Sequence, residues 1–300
     1  MPDAFAPAKI NLLLAITGVR SDGFHDLVSI VAPIALGDTL TLETATGNGT
    51  TDAATGDTLS CSAPGVPTDA TNLVLRAAAL FRDACPAPLP PVRFTLEKRV
   101  PHGAGLGGGS SDGAAALNLL NAAAGNALPP AALAQLAARL GSDCPVFLAG
   151  APAVMRGRGE RVEPLPQRAR DALRGRRLLL FKPAFGVSTA DAYRDMRATG
   201  GADYAPAAEQ EARIAAWLAA PESTPPPLFN NMERAVFRRH PALPALLERL
   251  AAAFNLAPRM SGSGSACFAL LPENFDAAPA VALIREAWGD TAFVRETTLL

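Results

Sequence analysis

The stretch PHGAGLGGGSSDGAAAL, residues 101–117, has glycine at 103, 105, 107, 108, 109 and 113. It follows an alternating segment and runs directly into a helical one. Glycine permits positive φ and carries no Cβ, so a turn of this composition can aim successive backbone N–H groups at an anion. A helix starting immediately afterwards adds its unpaired N–H groups and its positive dipole end. The arrangement suits a polyphosphate better than a flexible connector, which would need neither the strand before it nor the helix after it. Two familiar phosphate loops fit poorly. A P-loop has Lys and Ser/Thr after its last glycine, whereas Ser110 and Ser111 follow Gly109. A dinucleotide fingerprint matches at Gly103, Gly105 and Gly108. It requires an apolar first strand and an acid about 20 residues on, yet residues 92–100 alternate and 114–142 contain no Asp or Glu.

Working outward, VRFTLEKRV (92–100) reads as a strand with one wet face, and Ser110, Ser111 and Asp112 read as caps for GAAALNLLNAAA, which Gly125 closes. PPAALAQLAARLG forms a second helix with Leu133, Leu136 and Leu140 on one stripe, and Asp143 follows it. At the N-terminus, AKINLLLAIT reads as a half-buried strand that shows Lys9 and Asn11 on one face. A turn, GVRSDGFHD, leads to LVSIVAPIAL and then to TLTLETA. Residues 47–70 read as loop or weak hairpin before the helix TNLVLRAAALFRDA. Beyond residue 165 come strand RRLLLFKP, a helix around TADAYRDM and a polar, Pro-containing stretch over 199–227. Helical segments over 229–254, PRMSGSGSACFALL, helix AAPAVALIREAW and strand TAFVRET complete the chain. The mixture lacks a regular βα repeat and points to an α+β protein of two domains, 1–165 and 166–300.

With 300 residues and 49% hydrophobic character, the chain can bury a substantial core. A formal net charge of −1 supplies no field to gather nucleic acid or an anionic membrane, so an anionic ligand must be held locally. Cys61, Cys85, Cys144 and Cys267 form no metal-binding spacing and read as reduced thiols, and no stretch reads as a leader or a membrane span, so a cytoplasmic location is expected. Only three of the 27 basic residues are lysine, at 9, 98 and 182.

PAKINL (7–12), the glycine stretch and SGSGSACF (261–268) together resemble the three ordered motifs of the GHMP kinase superfamily. SDGFHDL (21–27), LGSDCPVFLAG (140–150) and FGVSTADAY (185–193) most resemble its branch acting on a cytidine-diphosphate-linked methylerythritol. The resemblance implies an N-terminal domain like the second domain of ribosomal protein S5, a ferredoxin-like C-terminal domain with the site between them, and ATP-dependent phosphorylation of one alcohol with Mg²⁺. It implies Asp143 as the base and Lys9 beside it as catalytic. Asn11 would orient the acceptor, His25 would read the cytosine edge, and Phe24 and Tyr193 would lie on opposite faces of the base. Nucleotide contacts would come from Asn72 and Lys98 for the adenosine part, and from Pro101, Gly103, Ala104, Gly105, Leu106, Gly107, Gly108, Gly109, Ser110 and Ser111. No dedicated protein metal site, no nucleic-acid partner and no membrane association are implied, and the chain is expected as a monomer or homodimer.

Overall fold

The computed structural model describes residues 1–44 and 56–300; residues 47–55 of the expected loop lie outside that description. The chain divides into two compact units, Met1–Ala8, Leu36–His102 and Gly107–Gly150 in the first, and Lys9–Ala35, Gly103–Leu106 and Ala151–Leu300 in the second. Two long strands, β1 (Asp3–Val19) and β2 (His25–Thr44), contribute residues to both.

In the first unit, β3 (Thr58–Cys61), α1 (Leu73–Ala84), β4 (Val92–Glu97), α2 (Gly108–Ala123), α3 (Pro130–Leu140) and α4 (Cys144–Ala149) follow in order. Residues 39–44 of β2 pair antiparallel with β4, and β3 pairs parallel with β4's other edge. β4 alternates as its sequence predicts, with Val92, Phe94 and Leu96 buried. Helix α1 buries Val74, Ala77, Ala78 and Phe81, a spacing that keeps one stripe on the core. α2 is buried on nearly every side, and its small residues allow this: a Cβ on Gly113 would stand 2.7 Å from a methyl of Leu140. Two expectations change here. β3 lies where loop or weak hairpin was expected, because one buried residue, Leu59, is too few to give a period. α2 also begins at Gly108, so Ser110, Ser111 and Asp112 lie inside the helix rather than capping it. Gly107, at φ 70°, is the N-cap.

The second unit adds β5 (Ala153–Gly157), β6 (Arg161–Pro164), α5 (Gln167–Leu173), β7 (Arg177–Lys182), α6 (Thr189–Ala198), α7 (Ala207–Ala219), β8 (Phe229–Asn230), α8 (Met232–Arg239), α9 (Ala242–Phe254), β9 (Arg259–Met260), β10 (Cys267–Leu270), α10 (Ala278–Trp288) and β11 (Phe293–Thr298). Residues 27–31 of β2 pair with β5, which pairs with β6, and β8 pairs parallel with β1. The remaining four strands form a separate sheet in the order β11-β7-β10-β9. Counted along the chain this is 4-1-3-2, with every neighbour antiparallel, the split βαβ pattern of a ferredoxin-like sheet. Phe181, Met196, Val236, Leu246 and Ile284 are part of its core.

The stretch 199–227 contains α7, whose buried Gln210, Ile214 and Trp217 share a face that its alanine-rich sequence marks weakly. Residues 8–16 of β1 are buried on both faces rather than one, since Lys9 and Asn11 meet protein partners there instead of water.

Candidate active site

Three glycines in the loop adopt left-handed backbone, Gly103 at φ 63°, Gly105 at 74° and Gly107 at 70°. Gly105 also needs its missing side chain, because a Cβ there would stand 2.2 Å from the Ser261 carbonyl oxygen. Residues 104–106 are fixed by backbone hydrogen bonds from Lys9 to Leu106 (2.9 Å) and from Ala266 to Ala104 (3.1 Å). The Gly105 carbonyl accepts from Lys9 Nζ at 2.8 Å and from Ser261 Oγ at 3.1 Å. In the first turn of α2, the N–H groups of Gly108, Gly109 and Ser110 precede the first intrahelical bond, which Ser111 makes to Gly107. Ser111 Oγ and Asp112 Oδ1 are buried without a hydrogen-bond partner among the described residues. Free donors at a helix start, with an orphaned hydroxyl in the same turn, fit a polyphosphate and its counter-cation.

Within the first unit, Lys98 is the centre of a buried ion cluster, pairing with Asp38 and, at 2.9 Å, with Asp112 Oδ2. Asp38 also accepts the N–H groups of Arg99 (2.6 Å) and Val100 (2.8 Å), so it orders the chain entering the glycine loop. Burial pushes the Asp112 carboxyl up and the Asp38 charge adds to this, while Lys98 opposes both. Burial works to lower the Lys98 ammonium, but the two carboxylates prevail and raise it. Asn72 caps α1, its Oδ1 accepting from Val74 N (2.9 Å) and its Nδ2 donating to the Pro67 carbonyl (2.6 Å). Asp143 occupies the N-cap position of α4 with helical φ and ψ and makes no capping hydrogen bond. Its neighbour Cys144 is a thiol that burial pushes up to about 12. Pro101 is half-buried and His102 is exposed.

Within the second unit, Lys9 Nζ donates to Asn11 Oδ1 at 2.7 Å, and Asn11 Nδ2 donates to Ser29 Oγ at 2.9 Å. Ser29 passes the chain on to the Leu13 carbonyl (2.6 Å), and Ser261 Oγ accepts from Asn11 N at 3.3 Å. Asn230 holds the other side of the 261–268 loop, donating to the carbonyls of Met260 and Gly262, both at 2.8 Å. The third lysine, Lys182, donates to the carbonyls of Pro183 and Phe185 and holds that turn. A second cluster gathers at SDGFHDL. His25 is buried and stacks on Tyr193, with ring centroids 4.4 Å apart. Phe24 is 52% exposed, with Arg158 lying 4.6 Å over its ring. One face of the Tyr193 ring is therefore against His25.

Sequence comparison settles the family. The GHMP kinases N terminal domain matches residues 72–151 and the GHMP kinases C terminal domain matches residues 215–290. The chain is 43% identical to the 4-diphosphocytidyl-2-C-methyl-D-erythritol kinase of Synechococcus sp. strain CC9902, over 88% of this chain and 86% of that relative. It belongs to the 4-diphosphocytidyl-2-C-methyl-D-erythritol kinase family of GHMP kinases. The family member of Gloeobacter violaceus is 40% identical over 97% of this chain and 93% of its own length. A crystal structure of a 4-(cytidine 5'-diphospho)-2C-methyl-D-erythritol kinase superposes with a TM-score of 0.74 at 37% identity, covering 99% of both chains. Methanococcus jannaschii mevalonate kinase, at 12% identity and a TM-score of 0.69 over 100% of this chain and 98% of its own, shares the GHMP kinase fold.

In this member of the family, several organising residues escaped the sequence reading. Asp38 carried no sequence signal, since its partner Lys98 lies 60 positions away. Ser261 belonged to a quoted motif but gave no sign that its hydroxyl joins Asn11 to Gly105. Arg197 and Tyr204, which both reach His25, sit in a segment with no motif at all.

Proposed function

We propose that this chain transfers a phosphoryl group from ATP to a hydroxyl of 4-diphosphocytidyl-2-C-methyl-D-erythritol, giving the 2-phosphate and ADP, in the methylerythritol phosphate route to isoprenoid precursors. The observation that carries this is near-full-length similarity, at about 40% identity, to proteins of that name. Phosphoryl transfer asks a protein chiefly for positioning and charge stabilisation, plus a group to receive the acceptor's proton.

Asp143 takes that proton. The Lys9–Asn11 pair orients the attacking hydroxyl, its geometry set by Gly105 and Ser29. Residues 101–111 hold the triphosphate through backbone N–H groups, and Asn72 and Lys98 lie towards the adenosine part. Mg²⁺, when bound with the nucleotide, supplies charge neutralisation, and the Ser110 and Ser111 hydroxyls would hold it or its waters. His25 reads the cytosine edge, with Phe24 and Tyr193 supplying aromatic faces. The reading includes domains at 1–165 and 166–300, a cytoplasmic monomer or homodimer, and no nucleic-acid partner. Among the described residues no helix is long and apolar enough to cross a membrane.

The test is ADP release from MgATP across acceptors. Turnover is expected with the cytidyl-linked acceptor and not with mevalonate or homoserine. Equal turnover with all three would refute the assignment.

A further inference from the structure

The chemistry of His25 is decided by one arginine on a neighbouring helix. His25 Nε2 lies 3.5 Å from Arg197 Nε and 3.3 Å from Tyr204 Oη, and Arg197 Nη2 donates to the Gly23 carbonyl. The guanidinium therefore holds the 20–25 turn and the imidazole at once. A guanidinium keeps its protons at any physiological pH, so the N–H facing Nε2 can only donate, and Nε2 must present its lone pair. A separation of 3.5 Å is long for a hydrogen bond, yet close enough that a proton on Nε2 would be strongly repelled. The single proton of the neutral ring is thereby assigned to Nδ1. Burial lowers the His25 pKa and the Arg197 charge lowers it further, which keeps the ring neutral.

The other groups around the ring leave this assignment in place. Tyr193 covers one face and Tyr204 approaches from the edge, its hydroxyl able to donate to the same Nε2 lone pair. On His25's own turn, Arg20 is paired with Asp22 and Asp26, and Arg158 lies over Phe24. Among the described residues, no protein acceptor takes the Nδ1 proton.

We propose that Arg197 is the positioning residue behind base specificity: it fixes His25 as an Nδ1–H donor, which pairs with an acceptor ring nitrogen and so admits cytosine and rejects uracil. This rests on the function proposed above. Cytosine N3 carries a lone pair, whereas uracil N3 carries a hydrogen that would face the Nδ1–H directly, donor against donor. Without Arg197 the imidazole is free to move its proton to Nε2, and Nδ1 then accepts from uracil.

The experiment compares kcat/KM for the cytidyl-linked acceptor with that for its uridyl-linked analogue. Arg197 is exposed, so its substitution leaves the core intact. The wild type is expected to prefer the cytidyl acceptor by about 10²-fold or more. Arg197→Met should reduce that ratio by about tenfold or more, through acceptor KM and with ATP KM little changed, while Arg197→Lys, which retains a charge, keeps most of it. In Arg197→Met the ratio should recover at pH values where the imidazole is protonated, since the imidazolium carries an Nδ1–H in any case. Taking a ratio cancels the titration of groups common to both acceptors. An unchanged ratio in Arg197→Met, or a fall in stability alone, overturns the proposal. Nitrogen-15 NMR of the histidines, with His25 assigned through His25→Gln, reads the tautomer without substrate. Nδ1–H is expected in the wild type, and Nε2–H there would also overturn the proposal. A wild type inactive on the cytidyl acceptor would instead count against the proposed function, with the tautomer still decided by NMR.

Discussion

Gly105→Ala and Gly103→Ala place the same methyl group in one loop, at two residues with nearly the same left-handed φ, 74° and 63°. The conformational cost of alanine in that region, about 1–2 kcal/mol, applies to both. Their surroundings differ. A Cβ at 103 meets nothing within 4 Å, whereas at 105 it would stand 2.2 Å from Ser261 O and 3.0 Å from Gly264 N, both backbone atoms that cannot swing aside. Relieving that overlap adds roughly 1–3 kcal/mol, the usual cost of overpacking a tight site. Gly105→Ala should therefore cost about 2–5 kcal/mol in all. Shifting Gly105 also moves the carbonyl that receives Lys9 Nζ and Ser261 Oγ, so turnover should fall beyond what stability explains. Urea unfolding of the two variants, with ADP release measured on the folded enzyme, is the assay. Equal destabilisation by both substitutions would show that Gly105 and Ser261 are not packed as described and would refute the reasoning.

Asp143→Asn keeps the side-chain shape and removes the base, so kcat should fall by about 10²–10⁴ with ATP KM little changed; near-normal turnover with a lowered Tm would make Asp143 structural. Lys98→Met leaves Asp38 and Asp112 buried without their cation and should cost about 3–5 kcal/mol in urea unfolding, part of it recovered in the Lys98→Met/Asp112→Asn double variant. Unaltered stability would show that Lys98 does not hold this cluster together, and a raised ATP KM with it would leave the proposed nucleotide contact as its role. In thiol titration of the native protein, Cys61 and Cys85 should react, while Cys144, pushed up to about 12 by burial, and Cys267, raised by the same cause, should react only after unfolding. The His25 pKa is depressed in the folded chain, so below its ordinary value of 6.5 the unfolded chain binds the proton first. The stability that His25 contributes at neutral pH is lost as the pH falls through that range, and His25→Gln should flatten this part of the pH–stability curve.

The glycine stretch was legible because its information is local. Positive φ, a missing Cβ and a helix start are properties of consecutive residues, and the structure places left-handed glycines at 103, 105 and 107 and the start of α2 at 108. The alternation of β4 and the stripe of α3 were legible for the same reason, since a strand or helix against one core writes its period into its own sequence. β1 broke that rule. Its alternation predicted a wet face, but Lys9 and Asn11 bond instead to Gly105 and Ser29, each from elsewhere in the chain. The Asp38–Lys98–Asp112 cluster joins three segments that sequence keeps apart, and no period or spacing announces a buried ion pair. Arg197 reaches His25 across 172 positions. The sequence by itself thus determined where a phosphate-binding turn could form, because that is a property of residue types in local order, whereas the roles expected of Asp143 and His25 came from the resemblance of their motifs to the GHMP kinases. Tertiary structure decided which of these residues are buried, which are already paired and which nitrogen of His25 faces Arg197, because desolvation and hydrogen bonding act between residues that only the fold brings together.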